Sequence, residues 1–165
     1  MINEDIFNTY LSSLDAILSE ESELKRRTVR SVLDQNDADS WDDAVKHYDA
    51  IRQDITDIER ICVNISEARR VVNRVKDHVF FREHTFIVDD IAVKRRFDAD
   101  PEIVNAWSRL TEGDHVSSDL ELFKHEQVES ILERRKGLDY VQAHTETVKL
   151  GFNWNPEEAY DGDSG

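Results

Sequence analysis

Apolar side chains recur at steps of three and four from residue 41 to residue 79: Trp41, Ala44, Tyr48, Ile51, Ile55, Ile58, Cys62, Ile65, Ala68, Val72, Val75 and Val79. An α-helix turns once every 3.6 residues, so this spacing lays one apolar stripe along one face. Read as a single helix, the segment is about 57 Å long at 1.5 Å per residue. A narrow stripe needs a partner helix. Residues 3–35 carry Phe7, Leu11, Leu14 and Leu18 in steps of four, three and four; the signal weakens through Glu20–Glu23 and resumes with Leu24, Val29, Val32 and Leu33. The polar break Gln35–Asp39 separates the two segments, and Ser40 ahead of Asp42 and Asp43 suits a helix start. The expectation is a long antiparallel helical hairpin, a coiled-coil arm over residues 1–74. Pairing of the 3–79 helices between two chains, as a homodimer, is the rival arrangement.

Five glycines and two prolines in 165 residues leave few of the turns that a sandwich or barrel needs. A chain that is 39% hydrophobic and 35% charged suits amphipathic helices with broad solvated faces. The fold class is therefore mostly all-α. After Val79 the helical period lapses, and 85–88 and 91–94 read as two short extended pieces around Asp89 and Asp90. Asp100-Pro101 opens a helix that stops at Gly113. Ser117 or Ser118 opens another, which Gly137 ends, and Asp139 caps a last helix that ends near Gly151. These make a compact helical bundle over residues 75–154, followed by an acidic flexible tail over 155–165.

The formal charge of −15 opposes nucleic-acid binding unless basic residues cluster. Lys94-Arg95-Arg96 and Arg134-Arg135-Lys136 are the two local basic runs, and they leave that question open. Cys62 is the single cysteine, so no disulfide forms within the chain. The first twenty residues lack a basic leader and contain acids, and no apolar run reaches spanning length. The expectation is no signal peptide and no membrane span, in a protein that is cytoplasmic or exported by a specialised system.

The residues with chemical potential fall in two stretches. On the helix ending at Gly137, His125 and Glu129 are four apart and share a face. Glu126 lies about 100° round from His125. The grammar is similar to the zincin helix, in which ligands four apart flank a glutamate base. If the chain reverses at Gly137, His144 lies level with Glu129. His125, Glu129 and His144, joined by His78, would then hold a divalent metal such as zinc, or manganese or magnesium. Glu126 would be the general base. The second stretch, Lys76 to His84, sets Lys76, His78, Glu83 and His84 beside Phe80 and Phe81, where partial desolvation shifts pKa values. Lys76, Glu83 and His84 join Glu126 as candidate catalytic groups. Each stretch has a plain alternative, in which its polar groups are solvated or flank a packed phenylalanine pair.

From Val75 to His144 the order VKDHVFFREH, RFDADPEIVNAWSRLTEGDHVSSDLELFKHEQVES and GLDYVQAH resembles a C-terminal domain of bacterial polymorphic toxins. Lys76, His78, Glu83, His84, Trp107, Arg109, His125, Glu126, Glu129, Tyr140 and His144 stand at matching positions. The resemblance implies a hydrolase, a nuclease or another kind, used in competition between bacteria and opposed by a cognate immunity protein. In such a site Arg109 would stabilise developing negative charge. Two other functions remain open: a non-enzymatic acidic binding protein of immunity or inhibitor type, and a helical assembly subunit. An enzyme requires the histidines and glutamates to converge, a binding protein leaves them scattered, and an assembly subunit exposes the 41–79 stripe.

Overall fold

The computed structural model describes residues 12–18 and 32–159, in two compact units, Met1–Val32 and Leu33–Gly165. In the first unit residues 12–18 are helical. The rest of the helix expected over 3–35 lies outside the described residues, apart from 32–35, which are not helical. The second unit runs α1 Ala38–Gln53, α2 Asp57–Ile65, α3 Arg69–Lys76, a π-helical turn Asp77–Phe81, β1 His84–Val88, β2 Ile91–Arg95, α4 Pro101–Glu112, α5 Ser117–Lys136, α6 Tyr140–Lys149 and a 3₁₀ turn Pro156–Ala159. The architecture is mostly helical with one two-stranded antiparallel sheet. Among the described residues no helix is long and apolar enough to cross a membrane.

The single helix expected over 41–79 is instead three helices and a π turn. Asp54 leaves helical geometry (ψ 119°), and its carboxylate accepts from the backbone N–H and the hydroxyl of Thr56. Ser66 turns left-handed (φ 54°), and the N–H groups of Ser66 and Glu67 both close on the carbonyl of Cys62. Short polar side chains offer the backbone local bonds that compete with the helix. The breaks fold the stripe back on itself. Ala44, Tyr48, Ile61, Val72, Val75, Val79 and Phe80 share one core with Val104, Trp107, Leu110 and Phe123. Phe80 sits edge-on between the Tyr48 and Trp107 rings, 4.7 and 5.0 Å away. Two stripe residues, Ile55 and Ala68, fall in the breaks and are exposed. The segment 38–76 is thus part of the same unit as the histidine–glutamate cluster, not a separate arm. Most of its stripe packs within this unit, while Trp41 and Ile55 stay exposed.

Helix ends follow local chemistry. Asp37, not Ser40, caps α1, its side chain accepting from the Asp39 N–H; Ser40 lies in the first turn and accepts from the Asp34 N–H. Val116, not a serine, precedes α5, and the Asp119 carboxylate takes its N–H. Ser118 is buried and donates to the Asn155 carbonyl. That bond and buried Ala159 hold residues 155–159 against the body, so the expected tail does not begin at 155; residues 160–165 lie outside the described residues. Asp100 caps α4 with Pro101 in its first turn, and Asp139 caps α6 in a reciprocal box with Gln142. Gly137 ends α5 at φ 65°, left-handed geometry that glycine adopts without steric cost. In the hairpin Val88 pairs with Ile91. The two-residue turn between them needs positive φ at both positions, which Asp89 (50°) and Asp90 (63°) supply.

One buried ion pair braces the scaffold. Lys76 Nζ donates to Asp57 Oδ1 at 2.7 Å and to the Asp54 carbonyl at 2.7 Å, and Trp107 Nε1 donates to Asp57 Oδ2 at 3.0 Å. The pair ties α2, α3 and α4 together, with both side chains almost fully buried. Replacing one partner strands the other charge in the core. Lys76→Met is therefore expected to cost about 3–5 kcal/mol of unfolding free energy. Urea denaturation checks this; a midpoint equal to the wild type would show that the pair is not a brace.

Candidate metal centre

Residues 125, 126, 129 and 133 lie on one face of α5, because steps of three and four return to the same side. Gly137 reverses the chain and α6 packs back along α5, which sets His144 level with Glu129. The π turn follows α3 directly and carries His78. In it the Arg82 N–H bonds the Asp77 carbonyl five residues back, a wider turn of the kind often found at functional sites. Three of the six histidines, His78, His125 and His144, meet Glu126 and Glu129 here, and His84 with Glu133 adjoins them.

Glu129 is the hub. It is 1% exposed. Its Oε2 lies 3.0 Å from His144 Nδ1 and 3.3 Å from His125 Nε2, and its Oε1 lies 3.2 Å from His78 Nε2. His125 Nε2 and His144 Nδ1 are 3.2 Å apart. The other nitrogen of His125, Nδ1, donates to the Phe152 carbonyl at 2.7 Å. This bond fixes the ring and turns Nε2 inward, as carbonyl partners do for metal-ligating histidines.

The electrostatics follow from burial. Burial alone would raise the Glu129 pKa, but hydrogen bonds from His125 and His78, and their charges, hold it well below the ordinary carboxylate range. Burial pushes Glu126 up, and the negative charge of Glu129 pushes it further. Two carboxyls in one pocket thus divide into one ionised and one protonated group. Burial lowers the His78 pKa despite its bond to Glu129. For His125 burial acts downward, but the Glu129 hydrogen bond carries it upward. Burial and the neighbouring glutamates push the Tyr140 hydroxyl up to about 12.

A second network adjoins the first. His84 Nδ1 is 2.9 Å from both oxygens of Glu133, and its Nε2 is 2.8 Å from the His78 carbonyl. Arg82 Nε donates to Glu133 at 3.2 Å. The His84 ring stacks on Phe97 at 3.7 Å. This network fixes the entry to β1 above α5.

Three overlapping sets of side chains each offer three ligand atoms within 4.8 Å of one another: His125, Glu129 and His144; His78, Glu126 and Glu129; His78, His84 and Glu133. In the third set both ring nitrogens of His84 already face oxygens, which leaves His78 as its one imidazole with a free nitrogen. The first set is spaced at 3.0–3.3 Å. An ion with bonds of about 2.0–2.1 Å separates tetrahedral ligands by about 3.3–3.4 Å. A cation can take the place of the hydrogen shared between these groups. The set forms part of the lining of a cavity of about 340 Å³, with Phe86, Phe97, Tyr140 and Trp154 among its walls. That volume is at the low end of the roughly 300–1,000 Å³ of small-ligand sites.

Of the expected site residues, the fold brings His78, His125, Glu126, Glu129 and His144 together and sets His84 beside them. Lys76 is committed to Asp57, and Glu83 is exposed. Arg109 Nε and Nη2 grip Asp119 at 2.8 and 2.7 Å in a buried bidentate pair, which ties α4 to α5. Glu133 was not anticipated, although it stands four residues after Glu129, the same step that links His125 to Glu129. The Phe152 carbonyl has no sequence signal. Comparison with protein-family models, curated proteins and solved structures finds no match to this chain.

The protonated Glu126 gives a pH signature in metal-free protein. A carboxyl whose folded pKa is raised holds its proton in the folded state after the unfolded chain has lost it. Its contribution to stability therefore falls as pH rises above the ordinary carboxylate range. Glu126→Gln lacks this term. Urea midpoints of the variant are expected to gain on the wild type between about pH 5 and pH 8. Parallel profiles would show that Glu126 is not held protonated.

Proposed function

We propose that this chain is a hydrolase domain of the polymorphic-toxin type, dependent on a divalent cation held by His125, Glu129 and His144. The observation that carries the reading is the 3.0–3.3 Å triangle of those three ligand atoms, beside a buried carboxyl and at an aromatic-walled cavity. When bound, the cation supplies Lewis acidity and lowers the pKa of water.

The residues have distinct tasks. His125 is oriented by the Phe152 carbonyl. Glu129 is oriented by His78, whose Nε2 bonds the oxygen facing away from His125 and His144. Glu126 is buried and held protonated in metal-free protein. With a cation held by His125, Glu129 and His144, Glu126 would be the group placed to accept a proton and then return it to the leaving group. Phe86, Phe97, Tyr140 and Trp154 hold the substrate and limit water. The convergence of buried groups favours this reading over an acidic binding protein, which has no use for an internal histidine–glutamate cluster.

Expression of the wild type in a bacterium, beside His125→Ala and Glu126→Gln, tests the proposal. The wild type alone is expected to arrest growth, and Glu126→Gln is expected to lose about 10²–10⁴-fold in rate. Circular dichroism checks that both variants fold. Arrest by none of the three, or by all three, would overturn the reading.

A further inference from the structure

We propose that the pocket holds a second divalent cation between His78 Nε2, Glu126 Oε2 and Glu129 Oε1, with the Glu129 carboxylate bridging the two cations. This rests on the assignment of His125, His144 and Glu129 to the first cation. Glu129 divides its oxygens between the two positions: Oε2 faces His144 and His125, while Oε1 faces His78 at 3.2 Å. His78 Nε2 is in turn 3.5 Å from Glu126 Oε2. The Glu126 side chain is nine-tenths buried, and its Oε2 has no hydrogen-bond partner. A buried oxygen without a donor, aimed at an imidazole nitrogen and beside a second carboxylate, is a ligand set that lacks only its cation. The His78 side chain is fully buried, so the position is closed to bulk solvent on that side.

The two positions differ in kind. The first offers two imidazoles and one carboxylate oxygen. The second offers one imidazole and two carboxylate oxygens, a harder set suited to manganese, cobalt or zinc. Bridging carboxylates hold paired cations about 3.5–4 Å apart. Filling the second position has a consequence for the chemistry. Glu126 becomes a ligand and ceases to accept a proton, so the two-cation form is the resting form of the site and the one-cation form the working one.

The test is a Co²⁺ titration of the full chain after chelator treatment, read by native mass spectrometry and by visible absorption, with Mn²⁺ loading read by electron paramagnetic resonance. The wild type is expected to bind two Co²⁺ in two steps and to give an exchange-coupled Mn²⁺ pair. His78→Gln and Glu126→Gln are each expected to bind one Co²⁺ and to lose the coupling. If a variant misfolds, the coupled signal of the wild type still decides. One Co²⁺ in the wild type, or two without coupling, overturns the second site and leaves the first standing. No bound Co²⁺ overturns both, and growth arrest that survives in metal-free form overturns the metal-dependent hydrolase alone.

Discussion

A carboxylate shut away from water must find its partners inside the protein, and Glu129 finds them on three elements. His78 comes from the π turn, His125 from α5 itself and His144 from α6. The penalty for leaving such a group unpaired is several kcal/mol. That need links the reversal at Gly137 to the placement of the π turn, because both must deliver an imidazole to the same side chain. It also constrains Glu126. With Glu129 ionised one turn away, a second negative charge in the pocket is unfavourable, and Glu126 keeps its proton.

The charges that brace the fold are separate from the charges gathered at the site. Asp57 with Lys76, and Arg109 with Asp119, are closed pairs; Lys76, Asp57 and Asp119 each make a further hydrogen bond beyond the pair. They lock α2 and α3 to α4, and α4 to α5. Lys76 ends α3, and the π turn starts at the next residue, so the brace also sets where His78 emerges. Around Glu129 the pairing is incomplete by contrast. His78 Nδ1 and Glu126 Oε2 are buried without partners. Unsatisfied polar atoms are costly in a core, and these two belong to side chains that approach to 3.5 Å.

Much of the local structure could be read from the chain. Asp100-Pro101, Gly113, Gly137 and Asp139 mark helix ends because capping depends on the geometry of one or two residues. The hairpin turn at Asp89-Asp90 was legible for the same reason. The breaks at Asp54 and Ser66 were not. Ile55 and Ala68 keep the three-four spacing through them, and a periodicity argument cannot tell a straight stripe from one that folds back. The caps at Asp37 and Val116 were displaced because Ser40 and Ser118 found other partners in the fold. In the site, His125, Glu129 and His144 were joined by counting outward from one glycine. His78 and Glu126 were named, yet nothing in their spacing placed one against the other.

The amino-acid order by itself determined which segments are helical after residue 98, where α5 reverses into α6, and hence that imidazole and carboxylate meet across that turn. These outcomes depend on contacts between residues close in sequence, whose geometry is set by backbone and side-chain stereochemistry. Tertiary structure alone decided that Lys76 and Arg109 are braces, that Glu133 holds His84, that the Phe152 carbonyl orients His125, and that His78 reaches Glu129 from 51 residues away. Those assignments turn on which buried charge lies nearest to which partner. Distance in space, not spacing along the chain, sets that choice.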